Sequence, residues 1–281
     1  MCRIFGFRSV IQSQVHRSLV TADNALQSQS QFHPDGWGVS YYIMGTPHVV
    51  KSTETAMNDH IFKKVSGVVS SQTVLAHIRN STLGSNTILN THPFQYGHWV
   101  FAHNGNIKDF NKYRTSLIDK ISPNLRPFIL GETDSEIIFY SILSKLEKKI
   151  ALDDKNFVFA PLAESVREAL DEVCQIVGDF CHEDKCGEDE TYLTFVMTNG
   201  SAMISHQGGK SLYYSTHKSL CPDRDSCTSF APVCEMAAKT GAINHMIFSS
   251  EELKGDNIWN KMKPGEIVGV DSKMQIHCLK T

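Results

Sequence analysis

The chain has 281 residues, of which 41% are apolar and 20% charged, with a formal net charge of −3. This is long enough to bury a sizeable core in one large domain or two, and the composition is that of an ordinary soluble globular protein. The small negative charge gives no basis for nucleic acid or an anionic membrane as a partner, and no run approaches the roughly 18 uninterrupted apolar residues of a membrane helix.

Residues 1–20 are broken by Arg3, Arg8, Gln12, Gln14, His16 and Arg17, which argues against a signal peptide. Eight cysteines without a secretory leader are therefore expected as reduced thiols in the cytoplasm. None of Cys174, Cys181, Cys186, Cys221, Cys227 and Cys234 forms a C-x2-C pair, so thiols around a helix and a loop are expected rather than zinc, and no metal or cofactor is assigned.

In chain order, CRIFGF at 2–7 is a short apolar run closed by aromatic residues and reads as a strand. GWGVSYYI, HVVKST, TVLAHIR and HWVFAH follow with the same branched and aromatic character, so the first hundred residues read as a sheet. NDHIFKKVSGVV, KDFNKYRTSLIDKI and ETDSEIIFYSILSKLEKKI carry apolar residues at helical spacing, and Thr133 and Glu136 stand at the spacing of a capping box. A second long helix is expected from about Pro161 to Gly178.

After the charged HEDKCGEDE segment, strands return in TYLTFVMT, AMISHQ, SLYYST, HMIFSS, EIVGVD and MQIHCL, with TNGS at 198–201 as a hairpin turn. Strands, helices and strands again imply an α+β architecture with antiparallel sheets; periodicity does not give the layer order. Residues 2–281 are expected to form one domain, with 150–190 as the candidate internal boundary.

Four stretches carry chemistry: MCRIFG, LAHIRNST at 75–82, FAHNG at 101–105 and GETDSE at 131–136. Each has a structural explanation of its own. Cys2 can be core packing, Arg79 a surface ion pair, Asn104-Gly105 a tight turn, and Asp134 an early-turn residue favoured by the helix dipole. Together they supply a thiol, a cation for a carboxylate, oxyanion donors and an anion for an ammonium, which are the parts needed to attack an amide. His77, His92 and His103 are expected as hydrogen-bonded structural histidines, and Trp37 as core.

These stretches, in this order, resemble the class II glutamine amidotransferases, which are N-terminal nucleophile hydrolases. HPDGWGV at 33–39, NTHPF at 90–94 and WNKMKPGE at 259–266 extend the resemblance to the stand-alone branch, whose members act on γ-glutamyl compounds in glutathione breakdown and ergothioneine synthesis. The resemblance implies a four-layer αββα sandwich and an N-terminal cysteine exposed by removal of Met1. It also implies Cys2 as nucleophile, with the Asn104 side chain and the Gly105 N–H as oxyanion donors. Arg79 and Asp134 would contact the substrate's α-carboxylate and α-ammonium, with Thr82 beside the carboxylate. Leu83 departs from the histidine often found there in synthase-linked members.

A thiol near pKa ~8.5 and an α-amine near ~7.7–8.0 can exchange a proton close to neutrality, so no separate base is required. The expected activity is hydrolysis of the γ-amide of glutamine or a γ-glutamyl compound through a thioester. The alternatives are a glutaminase subunit serving a partner protein, and an inactive binding module; a homo-oligomer is also open.

Overall fold

The computed structural model describes residues 2–280 except 16, 82, 156, 183–186, 188, 223 and 239. The elements that build the architecture are, in order, β1 (Arg3–Gln14), α1 (Leu26–Gln29), β2 (Trp37–Ile43), β3 (Thr46–Ser52), α2 (His60–Val68), β4 (Ser70–Ile78), β5 (Phe94–Tyr96), β6 (Trp99–Asn106), α3 (Phe110–Lys120), α4 (Asp134–Leu146) and α5 (Phe159–Val177). They continue with β7 (Tyr192–Thr198), β8 (Met203–His206), β9 (Tyr213–Ser215), β10 (His245–Ser249), β11 (Asn260–Lys261), β12 (Glu266–Val270) and β13 (Ile276–Lys280). One sheet has the order β11-β9-β10-β1-β4-β2-β3 and the other β13-β12-β8-β7-β6-β5, with antiparallel pairing throughout.

Three apolar clusters define four layers. Successive side chains of a strand face opposite sides of its sheet. On the outer side of the first sheet, Phe5, Phe7, Trp37, Val39, Val74 and Ala76 pack with Leu26 of α1 and Phe62 of α2. Ile4, Leu75, Val100, Ala102, Val196, Met203 and Val268 fill the space between the sheets. Phe101, Leu193, Phe195, Met197 and Ile204 pack outward against α3, α4 and α5. The result is the αββα sandwich expected from the resemblance.

Gly6 faces the inter-sheet layer, where a Cβ would lie 3.1 Å from Val196 Cγ1 and 3.3 Å from the sulfur of Met203. The missing side chain allows the sheets to approach closely at the middle of β1.

α4 is buried on nearly every side. Every residue from Asp134 to Leu146 except Lys145 is buried, because the helix lies between the second sheet and its helical neighbours. Its start is fixed by Thr133, whose side chain accepts the Glu136 N–H at 3.4 Å. The other half of the expected capping box differs: the Glu136 carboxylate reaches past the cap to accept the N–H groups of Leu130 (3.0 Å) and Gly131 (2.7 Å). The preceding turn supplies closer orphan donors than the cap residue does.

α5 begins two residues before Pro161 and shows a clean amphipathic stripe of Leu162, Val166, Ala169, Leu170 and Val173. β1 runs seven residues beyond the apolar CRIFGF segment, with a register shift between Arg8 and Ser13. Cys181 is disulfide-bonded, which corrects the expectation that all the cysteines are reduced thiols. Spacing alone could not reveal this, because a disulfide is set by which sulfurs the fold brings together. Among the described residues no helix is long and apolar enough to cross a membrane.

Burial holds several histidines neutral, with His77 brought down to about 3 and His33, His206 and His245 to about 4. An unfolded histidine takes up its proton near pH ~6.5, so below that value the unfolded state binds more protons than the native one. Stability contributed by these groups is complete above about pH 6.5 and declines as the pH falls toward 4. Thermal denaturation followed from pH 7.5 to 4 is expected to show a falling Tm that steepens below 6.5; a flat Tm over that window would contradict the neutral buried state.

Candidate active site

β1 places Cys2 at its start. Ile4 faces the inter-sheet layer, and two residues earlier the pleat puts Cys2 on the same side. The thiol donates to the Asn80 carbonyl at 3.3 Å and accepts the Asn80 N–H at 3.2 Å. This pairs the start of β1 with the end of β4, where Arg3 stands opposite Ile78. Arg3 itself forms an ion pair with Glu251 at 2.5 Å. Burial pushes the Cys2 thiol up; the Asn80 hydrogen bond and the nearby Arg79 charge oppose this, and Asp134 adds to it. Burial thus favours the protonated form of the thiol at this position.

Arg79 follows β4 directly and is 3% exposed, so it is not a surface ion pair. Its Nη1 donates to Asn86 Oδ1 at 3.1 Å, and its Nη2 to the carbonyl of Leu83 at 3.1 Å and those of Gly84 and Ser85 at 3.4 Å. Backbone bonds between Arg79 and the HPDG turn hold the strand end from the other side, at 2.8 Å from the Arg79 N–H to the Gly36 carbonyl.

Asn104 and Gly105 lie within β6, opposite Thr194 and Leu193 of β7, and not in a hairpin turn. Asn104 has the strand parity of Val100 and Ala102 and faces the inter-sheet layer. It is 4% exposed, and its amide makes no hydrogen bond with the described residues. Across from Gly105, Leu193 directs its N–H to Gly208 (2.8 Å) and its carbonyl toward His206 Nδ1 (2.8 Å), both away from β6. Gly105 and Leu193 therefore form a non-hydrogen-bonded antiparallel pair, and the Gly105 N–H points away from β7. A Cβ at Gly105 would collide with the Tyr192 carbonyl and lie 2.6 Å from His103 Nε2, so only glycine fits.

Asp134 begins α4, and its carboxylate is buried. Oδ2 accepts the Ile107 N–H at 2.5 Å, and Oδ1 accepts the N–H (2.7 Å) and hydroxyl (3.2 Å) of Ser135. Burial raises its pKa, while His103 and these hydrogen bonds work against the rise. The bond to Ile107 fixes the helix start beside the end of β6.

His77 and His103 connect the sheets. His77 Nε2 lies 3.1 Å from the His103 carbonyl, while His103 Nδ1 contacts Ser135 Oγ at 2.9 Å and Nε2 contacts the Tyr192 carbonyl at 3.0 Å. His92 lies against His77 with ring centroids 4.2 Å apart and the planes tilted by 32°. His77 and His103 take the hydrogen-bonded structural positions expected of them, whereas neither ring nitrogen of the buried His92 has a hydrogen-bond partner among the described residues. Trp37 is fully buried and donates to Asp59 Oδ2 at 3.1 Å, which makes it core.

The structure thus brings Cys2, Arg79, Asn104, Gly105 and Asp134 to one end of the sandwich, while Thr82 lies outside the described residues. Two openings flank the 104–107 segment. One, of about 550 Å³, is lined by Arg3, Asn104, Tyr192, Lys210 and Glu251, and the other, of about 930 Å³, by Leu83, Asn106, Ile107, Lys108 and Asp189.

A family model of the class II glutamine amidotransferases matches residues 1–278, and the chain belongs to that family. It is 28% identical over 226 residues to "Probable glutamine amidotransferase DUG3" of Saccharomyces cerevisiae, a match covering 73% of this chain and 62% of the yeast protein. A shorter match, 34% identical over 80 residues, is to the gamma-glutamyl-hercynylcysteine sulfoxide hydrolase of Mycobacterium tuberculosis, covering 28% of this chain and 34% of that protein. The solved structure of a "glutamine aminotransferase class-II domain protein" from Silicibacter pomeroyi superposes with a TM-score of 0.61 at 18% identity, covering 99% of both chains. That likeness is one of fold.

Proposed function

We propose that this chain is an N-terminal cysteine amidohydrolase, folded as one domain over 2–281, that cleaves the γ-amide of glutamine or a γ-glutamyl compound. The observation that carries the reading is the convergence of a thiol, an arginine, an unengaged asparagine amide, an outward N–H and a buried aspartate at one end of the two sheets.

Removal of Met1 frees the Cys2 α-amine, which takes the thiol proton directly or through a water. The thiolate attacks the γ-carbonyl carbon, and the resulting oxyanion is held by Asn104 Nδ2 and the Gly105 N–H. Collapse expels the amine, which leaves with the proton held by the α-ammonium, and a γ-glutamyl thioester remains. Water then adds to the thioester, losing its proton to the same amine, and glutamate departs as the thiol reforms. Arg79 takes the α-carboxylate and Asp134 the α-ammonium, with Thr82 beside the former; a charged contact in such a shielded site contributes about 1.5–3 kcal/mol. Recognition of the glutamyl head is thereby separated from the leaving group.

Purified protein is expected to release glutamate from at least one member of a panel containing glutamine, glutathione and γ-glutamyl anilides, measured by coupled glutamate assay. Turnover that appears only on adding a second protein would favour the subunit reading. No glutamate from any member, with or without cell extract, would refute the assignment.

A further inference from the structure

Two of the sequence motifs, NTHPF and GETDSE, hold polar residues that the proposed chemistry does not use. Asn90 and Glu132 belong to these motifs, and in the fold they bind one another. Asn90 Oδ1 accepts the Glu132 N–H at 2.8 Å, and Asn90 Nδ2 donates to Glu132 Oε2 at 3.2 Å. Asn90 is 1% exposed, and the glycine at 131 makes room for it, since a Cβ there would lie 2.6 Å from Asn90 Oδ1.

The pair grips the loop that grips Arg79. Ser85 donates to Glu132 Oε2 through its N–H (3.0 Å) and its hydroxyl (2.9 Å), and its carbonyl accepts from Asn90 Nδ2 at 3.0 Å. That same loop supplies the acceptors that surround the Arg79 guanidinium, from Leu83, Gly84, Ser85 and Asn86. A planar guanidinium with acceptors on two of its nitrogens can be turned only by moving those acceptors. Glu132 is also two residues from Asp134, on the segment that enters α4.

We infer that Asn90 and Glu132 are positioning residues that fix the 83–86 loop, and through it set the guanidinium of Arg79 at a defined spacing from the carboxylate of Asp134. The clamp makes the two charged ends of the glutamyl head register against one rigid unit, which discriminates substrates carrying both charges from those lacking the α-carboxylate. The inference rests on the reading of Arg79 and Asp134 given above.

Glu132 is exposed, so Glu132→Gln keeps size and fold while removing the negative charge and leaving one neutral, weaker acceptor oxygen for the Ser85 and Asn90 donors. Ser85→Ala, also at an exposed position, removes one of those donors alone. The measurement is the ratio of kcat/KM for a γ-glutamyl anilide with a free α-carboxylate to that for its α-carboxamide, with Arg79→Ala as reference. Glu132→Gln is expected to lower this ratio roughly tenfold, mainly through KM of the acid, and Ser85→Ala to lower it by less. General destabilisation would depress both substrates together and leave the ratio unchanged. An Arg79→Ala variant that loses the discrimination while both Glu132→Gln and Ser85→Ala keep the wild-type ratio would overturn the clamp and leave the functional reading standing. Full discrimination in Arg79→Ala would remove the role of Arg79 and the clamp with it.

Discussion

Cys2→Ala is expected to abolish glutamate release and covalent labelling by a glutamine-analogue electrophile, while the protein stays folded. The sulfur makes hydrogen bonds to the main chain of Asn80, and it sits at the start of a strand whose pairing with β4 and β10 does not depend on it. Its loss therefore removes the only atom proposed to form the thioester without opening the sheet. Intact mass after incubation with the electrophile should show one adduct on the wild type and none on the variant.

The role of the amine is tested separately by a form with one extra residue retained before Cys2. That form is expected to be inactive although its thiol is intact, because burial raises the thiol's pKa and leaves it dependent on the adjacent base. Full activity in the extended form would rule out the α-amine as base, and activity in Cys2→Ala would end the mechanism altogether.

The second large effect is expected at Asn104. Its amide has no hydrogen-bond partner among the described residues although the residue is buried in the inter-sheet layer, so the fold does not use it. If it serves the oxyanion, Asn104→Ala should lower kcat by about 10²–10³, with KM changed far less, because the interaction strengthens only as negative charge develops on the oxygen. Tm should be close to that of the wild type. Steady-state kinetics and thermal denaturation on the same preparation decide it: a large loss of Tm, or a change confined to KM, would assign Asn104 to structure or ground-state binding instead.

How much of this site could be read from the chain varies with how local each cause is. Cys2, Arg79, Asn104, Gly105 and Asp134 were legible because each sits at a strand end or helix start within a short motif. The strands and helices were legible because periodic burial leaves its mark on neighbouring residues. The helix at 134–146 was found by the helical spacing of its apolar residues and by its cap, although every residue in it except Lys145 is buried. Asn104-Gly105 also reads as a turn, because Asn-Gly has the same local preferences in a hairpin; pairing with Thr194 and Leu193 decides for a strand.

Other features had no local signal. Arg79 also reads as a surface ion pair, yet it is buried and its partners are backbone carbonyls and an amide, and a carbonyl acceptor leaves no trace in side-chain identity. Asn90 and Glu132 are 42 residues apart, and their reciprocal hydrogen bonds exist only once the turn before α4 meets the loop after β4.

The sequence by itself determined the family, and through that resemblance the sandwich class, and it located the residues proposed to attack and hold an amide, because short motifs depend on residue type and near-neighbour spacing. Tertiary structure alone decided the strand order, the outward aim of the Gly105 N–H, the orientation of Arg79 and the clamp behind it. Those depend on contacts between segments distant in the chain, where register and burial, rather than local propensity, set the geometry.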